Sequence, residues 1–140
     1  MGEINREKII SLAGEAQKAV AQLSRYEKIP SSEIVGSSEK LGNIKYQFVV
    51  GIEACIDVCQ HIASKLFAQV PESYAGCFDV LEEHGVIDKE LAGQMAELAR
   101  FRNLLVYLYR RVDDSRVVEM ISRTKLITRY VQAVAVFCGL

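Results

Sequence analysis

With 140 residues, half of them apolar and a quarter charged, the chain has the size and composition of one globular domain, and residues 1–140 are read as that single unit. A formal net charge of −1 excludes an overall electrostatic pull toward nucleic acid or an anionic membrane. The opening MGEINREKII lacks the apolar run of a secretory leader, Arg6 spoils a myristoylation match after Gly2, and no run of about 18 apolar residues is present to span a bilayer, so the expected location is cytoplasmic with no membrane partner.

Apolar residues recur every three or four positions almost throughout, and both prolines fall between the periodic segments. The first helix is expected over residues 4–26, with Ile9, Leu12, Ala13, Ala16, Val20 and Leu23 facing the core. Ile29-Pro30-Ser31-Ser32 breaks it, and a loop with a short turn around 33–35 follows. A long second helix is expected over residues 38–69, capped by Ser38 and ended by Pro71, with the stripe Leu41, Ile44, Phe48, Ile52, Cys55, Cys59, Ile62 and Leu66. Gly42 and Gly51 each weaken it by about 1 kcal/mol relative to alanine. At Gly51 the close approach of another helix offers a reason.

A short third helix is expected from Ser73 to His84, with Gly85 in the left-handed stop position. Asp88 fits the cap of a fourth helix that runs to Arg110. Asp113 or Asp114 starts a fifth that reaches Phe137, with Val117, Ile121, Thr124, Thr128, Val131 and Val134 as its stripe. The fold expected is all-α, an antiparallel four-helix bundle with a short extra helix. The cysteines Cys55, Cys59, Cys77 and Cys138 are expected to be reduced. A zinc site wants two closely spaced cysteine pairs, whereas Cys55 and Cys59 are four apart and read as small buried residues, so no metal is expected.

Charge is unevenly spread. From Arg100 to Arg129 there are eight basic residues against three acidic ones, a local +5 in a chain whose total is −1. A solvated helix face and a phosphate-binding surface both account for that excess. The fourth helix is more informative. On a wheel of 100° per residue, Arg102 and Tyr109 fall within about 20° of Leu91, inside the stripe of Met95, Leu98 and Leu105. A guanidinium keeps its charge, and burying it unpaired is very costly. Arg102 must therefore meet an acid, such as Glu53 or Asp57 on the second helix, or an anion, or a water-filled cleft. Around it Phe101, Leu104, Leu105, Val106, Tyr107 and Leu108 are apolar in nearly every direction, which predicts a second copy covering that face in a two-fold homodimer.

Phe101-Arg102-Asn103-Leu104-Leu105-Val106-Tyr107-Leu108-Tyr109, followed by Val112-Asp113-Asp114, resembles the signature of the HepT-like HEPN family: Arg-Asn, three residues, His, any residue, Tyr, then usually Val-Asp. Ile52–Ile62, Pro71-Glu72-Ser73-Tyr74, Phe78 and Leu81 resemble the stretches that precede that motif, so about three quarters of the chain is similar to the family. The resemblance implies a dimeric helical toxin that cuts RNA without metal or cofactor. It further implies a partner, a minimal nucleotidyltransferase antitoxin encoded alongside, which transfers AMP to the motif tyrosine and silences the nuclease. By position, Arg102 is the expected phosphate-holding catalytic residue, Asn103 supports the local geometry, and Tyr109 is the AMP acceptor.

One position departs from the family. Tyr107 occupies the slot of its histidine. Metal-independent RNA cleavage needs one group to take the proton of the 2′-hydroxyl and another to protonate the leaving oxygen. Histidine suits both, titrating near 6.5, whereas a free tyrosine titrates near 10. General acid–base catalysis is worth about 10² to 10⁴ in rate, so a chain with tyrosine there is expected to be catalytically impaired unless another group carries the proton. Neither His61 nor His84 stands in by spacing. A straight helix also sets Tyr107 about 140° from Arg102, which favours a cleft built from two copies. The alternative reading is a non-catalytic helical dimer that binds a nucleotide or a protein partner, and a third is a purely structural dimer with Arg102 in an ion pair.

Overall fold

The computed structural model describes residues 2–140. Among them the elements are α1 (Arg6–Ser24), α2 (Ser31–Val35), α3 (Ser38–Phe67), α4 (Tyr74–Glu83), α5 (Lys89–Tyr107), α6 (Asp114–Met120) and α7 (Thr124–Cys138), with 3-10 turns at Tyr109–Arg111 and Ile121–Arg123 and no strand. The all-helical expectation holds. The 30-residue α3 is the spine, and α1, α4, α5 and α7 pack against it. Side-chain register fixes their directions. Asn43 meets Tyr26 while the Asn5 backbone meets His61, so α1 runs antiparallel to α3. Phe101 stacks edge-on against Phe48, and Tyr109, farther along, lies under Lys45, so the α5 side also runs against α3. Ile127 nears Gly51 and Tyr130 donates to the Cys55 carbonyl, which makes α7 parallel to α3. The four long helices therefore alternate up and down, as short connections dictate.

The core is the expected stripe, with Ile9, Leu23, Ile44, Phe48, Ile52, Ile62, Met95 and Leu98 essentially inaccessible. A methyl at Gly51 would sit 2.9 Å from the Ala19 Cβ and 3.6 Å from Ile127 Cδ1, so Gly51 is the crossing point where α1 and α7 close on α3. Tyr130 is a large buried side chain that the stripe of the last helix passes over. Its hydroxyl donates at 2.9 Å to the Cys55 carbonyl, which satisfies the polar atom it carries into the core.

Caps set the boundaries. Ser37, rather than Ser38, caps α3 by accepting from the third amide of the helix, Lys40, at 3.2 Å. Asp88 caps α5 by accepting from Leu91 at 2.8 Å, and Gly85 takes φ +74°, both as expected. The last helix is not continuous. A 3-10 turn divides α6 from α7, since α6 leans on α2 while α7 returns to the bundle. No glycine or proline marks that break. The reduced state expected for all four cysteines is also corrected. Cys59 and Cys77 form a disulfide, their Cα atoms 6.2 Å apart, because α4 folds back onto α3 and brings two buried sulfurs together. Cys55 is free and buried, and burial pushes its thiol up, well out of the reactive range.

Candidate functional site

α5 begins at its Asp88 cap and carries the Arg102–Tyr107 part of the motif at its C-terminal end. Arg102 faces inward and is 8 % exposed, as its place in the apolar stripe requires. The acid that compensates it is Glu53 of α3. Arg102 donates from Nε at 3.2 Å and from Nη2 in a short contact, both to the single oxygen Oε1 of Glu53. Nη1 donates at 3.0 Å to the Asn103 side-chain oxygen. Asp57, the other acid in phase, does not take the guanidinium. Of the five N–H groups an arginine offers, Glu53 and Asn103 take three, and the Tyr107 hydroxyl lies beside those that are left. Tyr74, from the start of α4, lays its ring 5.2 Å from the guanidinium carbon. Burial works against the charge, but Glu53 outweighs it, with smaller help from the Tyr107 hydroxyl and Tyr74, so Arg102 sits above its ordinary pKa.

The pair lies at the rim of the bundle rather than in its centre. The Glu53 side chain is 43 % exposed, and Tyr107, one helix turn beyond, is 72 % exposed. Tyr107 follows Arg102 by five positions, and its hydroxyl adds to what favours the charge of the arginine. Arg102, Asn103 and Tyr107 therefore stand together, with Glu53 and Tyr74 as companions.

Tyr109 does not stand on the Arg102 line. α5 ends at Tyr107, Leu108 leaves the helical region at φ −124° and ψ 36°, and Tyr109 opens a 3-10 turn. The run Val106–Tyr109 is β-branched or aromatic at three of four positions, which lowers helix propensity, and none of the four is buried to offset that. The turn delivers the Tyr109 ring toward α3, where Lys45 Nζ lies 4.4 Å from the ring centroid. Lys45 is 8 % exposed and bridges to Asp114 at 3.6 Å. Sequence reasoning passed over Lys45, although it sits in the α3 stripe between Ile44 and Phe48 and is the same kind of anomaly as Arg102.

The basic excess of residues 100–129 does not gather into one patch. Arg100, Arg116 and Arg123 line a cleft of about 520 Å³ that also holds Glu97 and Glu119, and Arg123 is paired with Glu97 at 2.8 Å. Lys125 and Arg129 face two other grooves. Among the described residues no group of three His, Cys, Asp or Glu side chains is placed to hold a metal ion, and no helix is long and apolar enough to cross a membrane.

A family model described as "Ribonuclease HepT-like" matches residues 16–134. An Archaeoglobus fulgidus protein with a provisional RNase name is 29 % identical over 103 residues, 73 % of this chain and 77 % of that one. The mRNA nuclease HepT of Shewanella oneidensis is 28 % identical over 69 residues, 49 % of this chain and 52 % of that one. Among solved structures, a tri-AMPylated HEPN toxin of Shewanella oneidensis in complex with MNT antitoxin superposes with a TM-score of 0.84 at 17 % identity, covering 92 % of this chain and 97 % of that chain. YutE of Bacillus subtilis, a cytosolic protein of unknown function, superposes with a TM-score of 0.85 at 17 % identity, covering 98 % of this chain and 92 % of that chain.

Proposed function

The chain belongs to the HepT-like ribonuclease family, and from that premise we propose that it is the RNA-directed toxin of a two-component system, working as a homodimer and silenced when a minimal nucleotidyltransferase antitoxin transfers AMP to Tyr109. The observation that carries this reading is the state of Arg102. It is held charged at the rim of the fold, with N–H donors beyond the three that Glu53 and Asn103 take, beside an exposed Tyr107. An anionic phosphate is the natural acceptor for such donors. Asn103 braces the guanidinium from its own helix, and the exposed Tyr107 ring offers a base something to stack on.

In the cleavage reaction the RNA 2′-oxygen attacks the adjacent phosphorus and the 5′-oxygen of the next nucleotide leaves. Arg102 would stabilise the charge that gathers on the phosphoryl oxygens. The proton transfers fall to the position of Tyr107, where the family has histidine, so this chain is a slow nuclease. A second reading, a non-catalytic dimer that binds nucleotide or protein, is favoured by two observations: Glu53 already neutralises Arg102, and the histidine is absent.

One experiment separates the two. RNA cleavage by the purified chain is compared with that of Tyr107→His. The nuclease reading expects the histidine variant to be faster by about 10² to 10⁴, and equal inactivity of both would favour the binding module. Intact mass after co-expression with a minimal nucleotidyltransferase antitoxin tests the regulatory half. An adenylyl-sized increment that disappears in Tyr109→Phe supports it.

A further inference from the structure

We propose that Lys45 is a positioning residue for Tyr109: its ammonium clamps the phenol ring against α3 in the attitude from which the hydroxyl accepts a nucleotidyl group. The inference rests on Tyr109 being the acceptor.

The geometry is unusual for a lysine. Lys45 lies in the core-facing stripe of α3, 8 % exposed, where an ammonium is expensive unless compensated. Two contacts compensate it. Asp114 Oδ1 lies 3.6 Å away, beyond hydrogen-bond reach, and the face of Tyr109 lies 4.4 Å away. The aromatic face is therefore a main partner of the charge rather than an ornament to an ion pair. Seen from the tyrosine, Lys45 is what fixes the ring. Tyr109 is 52 % exposed on a three-residue 3-10 turn with no buried residue of its own. Asp114 opens α6 just beyond that turn, so the Lys45–Asp114–Tyr109 set ties both ends of the 108–113 segment to α3.

Such a clamp serves group transfer in two ways. The Tyr109 oxygen forms a new bond to the α-phosphorus of ATP and the bridge bond to the β-phosphate breaks. Pyrophosphate leaves with that electron pair, and the phenolic proton passes to water. A ring held in one attitude presents its oxygen for in-line attack without first ordering a mobile turn. The product phosphodiester is an anion, and Lys45 is a buried cation close to where it forms.

The test compares Lys45→Met, which keeps the length of the stem, with Lys45→Arg, which keeps the charge. Amide hydrogen exchange across 108–113 is measured on each full-length purified chain, without any partner. Lys45→Met is expected to speed exchange there by roughly 3- to 30-fold, the factor to which a cation–π contact of ordinary strength corresponds, while exchange in the core of α3 stays unchanged. Lys45→Arg is expected to restore the slow rate. Unchanged exchange in Lys45→Met overturns the clamp, whatever is true of AMP transfer. In the second arm each chain is incubated with a minimal nucleotidyltransferase antitoxin and ATP. The turnover number is expected to fall by about 10- to 100-fold in Lys45→Met, with the KM for ATP within about twofold, and to recover in Lys45→Arg. Equal turnover in wild type and Lys45→Met overturns the positioning role. A wild-type chain that is never modified refutes the acceptor assignment of Tyr109 itself, and the exchange arm then decides the clamp alone.

Discussion

At the residue scale, the decisive fact is that Arg102 is compensated without being sealed in. Its acceptor, Glu53, is 43 % exposed at the side chain. When Arg102 is cut to alanine, Glu53 rehydrates rather than being stranded, so the loss of stability is expected to be only about 1 kcal/mol. RNA binding should fall sharply. Urea denaturation and RNA binding of Arg102→Ala check this together. A loss of several kcal/mol with RNA binding intact would make the arginine a structural brace. Arg102→Lys is expected to bind as poorly as alanine, because an ammonium cannot hold Glu53, Asn103 and a phosphate in one plane. The arginine and its two candidate acids were legible in the sequence because a permanent charge in an apolar stripe demands a partner. Lys45 breaks the same rule less visibly, since its long stem reads as apolar and lysines usually reach out to water. Tyr109 was misplaced because a wheel assumes that the helix continues, and this helix stops two residues before it.

At the scale of elements, the helices themselves were plain and their junctions were not. Caps with a side-chain acceptor, such as Asp88, announce themselves. The break at Ile121–Arg123 follows the packing of α6 against α2 and of α7 against the bundle, and no local residue records it, whereas the end of α5 at Leu108 reflects a run of poor helix formers that a wheel ignores. The start of α1 shows how far such tertiary control goes. Its Asn5 amide donates at 2.8 Å to Nε2 of His61 on α3, so that ring must be unprotonated at Nε2. Burial chiefly, with Lys8 and Lys65 adding to it, holds His61 below its ordinary value of 6.5. Below pH 6.5 the unfolded chain therefore binds a proton that the folded chain refuses. The contribution of His61 is complete above that pH and is lost as the pH falls through its lowered value. The melting temperature is expected to decline between about pH 7 and pH 5, and less steeply in His61→Gln, where the side-chain oxygen accepts the same amide. Thermal melts across that range, wild type against variant, measure it.

At the scale of the whole molecule, one protomer leaves Leu104, Val106, Tyr107 and Leu108 exposed on the last turn of α5 and just past it, around the proposed site. A helix end apolar on its outer face is what a second copy would cover. Light scattering at micromolar concentration is expected to report a dimer for the wild type and a monomer for the double variant Leu104→Glu, Leu108→Glu, with helix content preserved. A wild-type monomer would remove the dimer from the proposed mechanism. The general plan, four alternating helices around one core, follows from periodicity and short connections, and it was fully readable. The bond from Cys59 to Cys77 was not, since the two lie 18 residues apart on different helices and nothing in their spacing pairs them. That bond also has a kinetic meaning. Both sulfurs are shut off from solvent, so a small thiol can reach them only in the brief intervals when α4 lifts from α3. The speed at which reductant opens the bond is therefore a stopwatch on the breathing of α4, the element that lays Tyr74 beside Arg102.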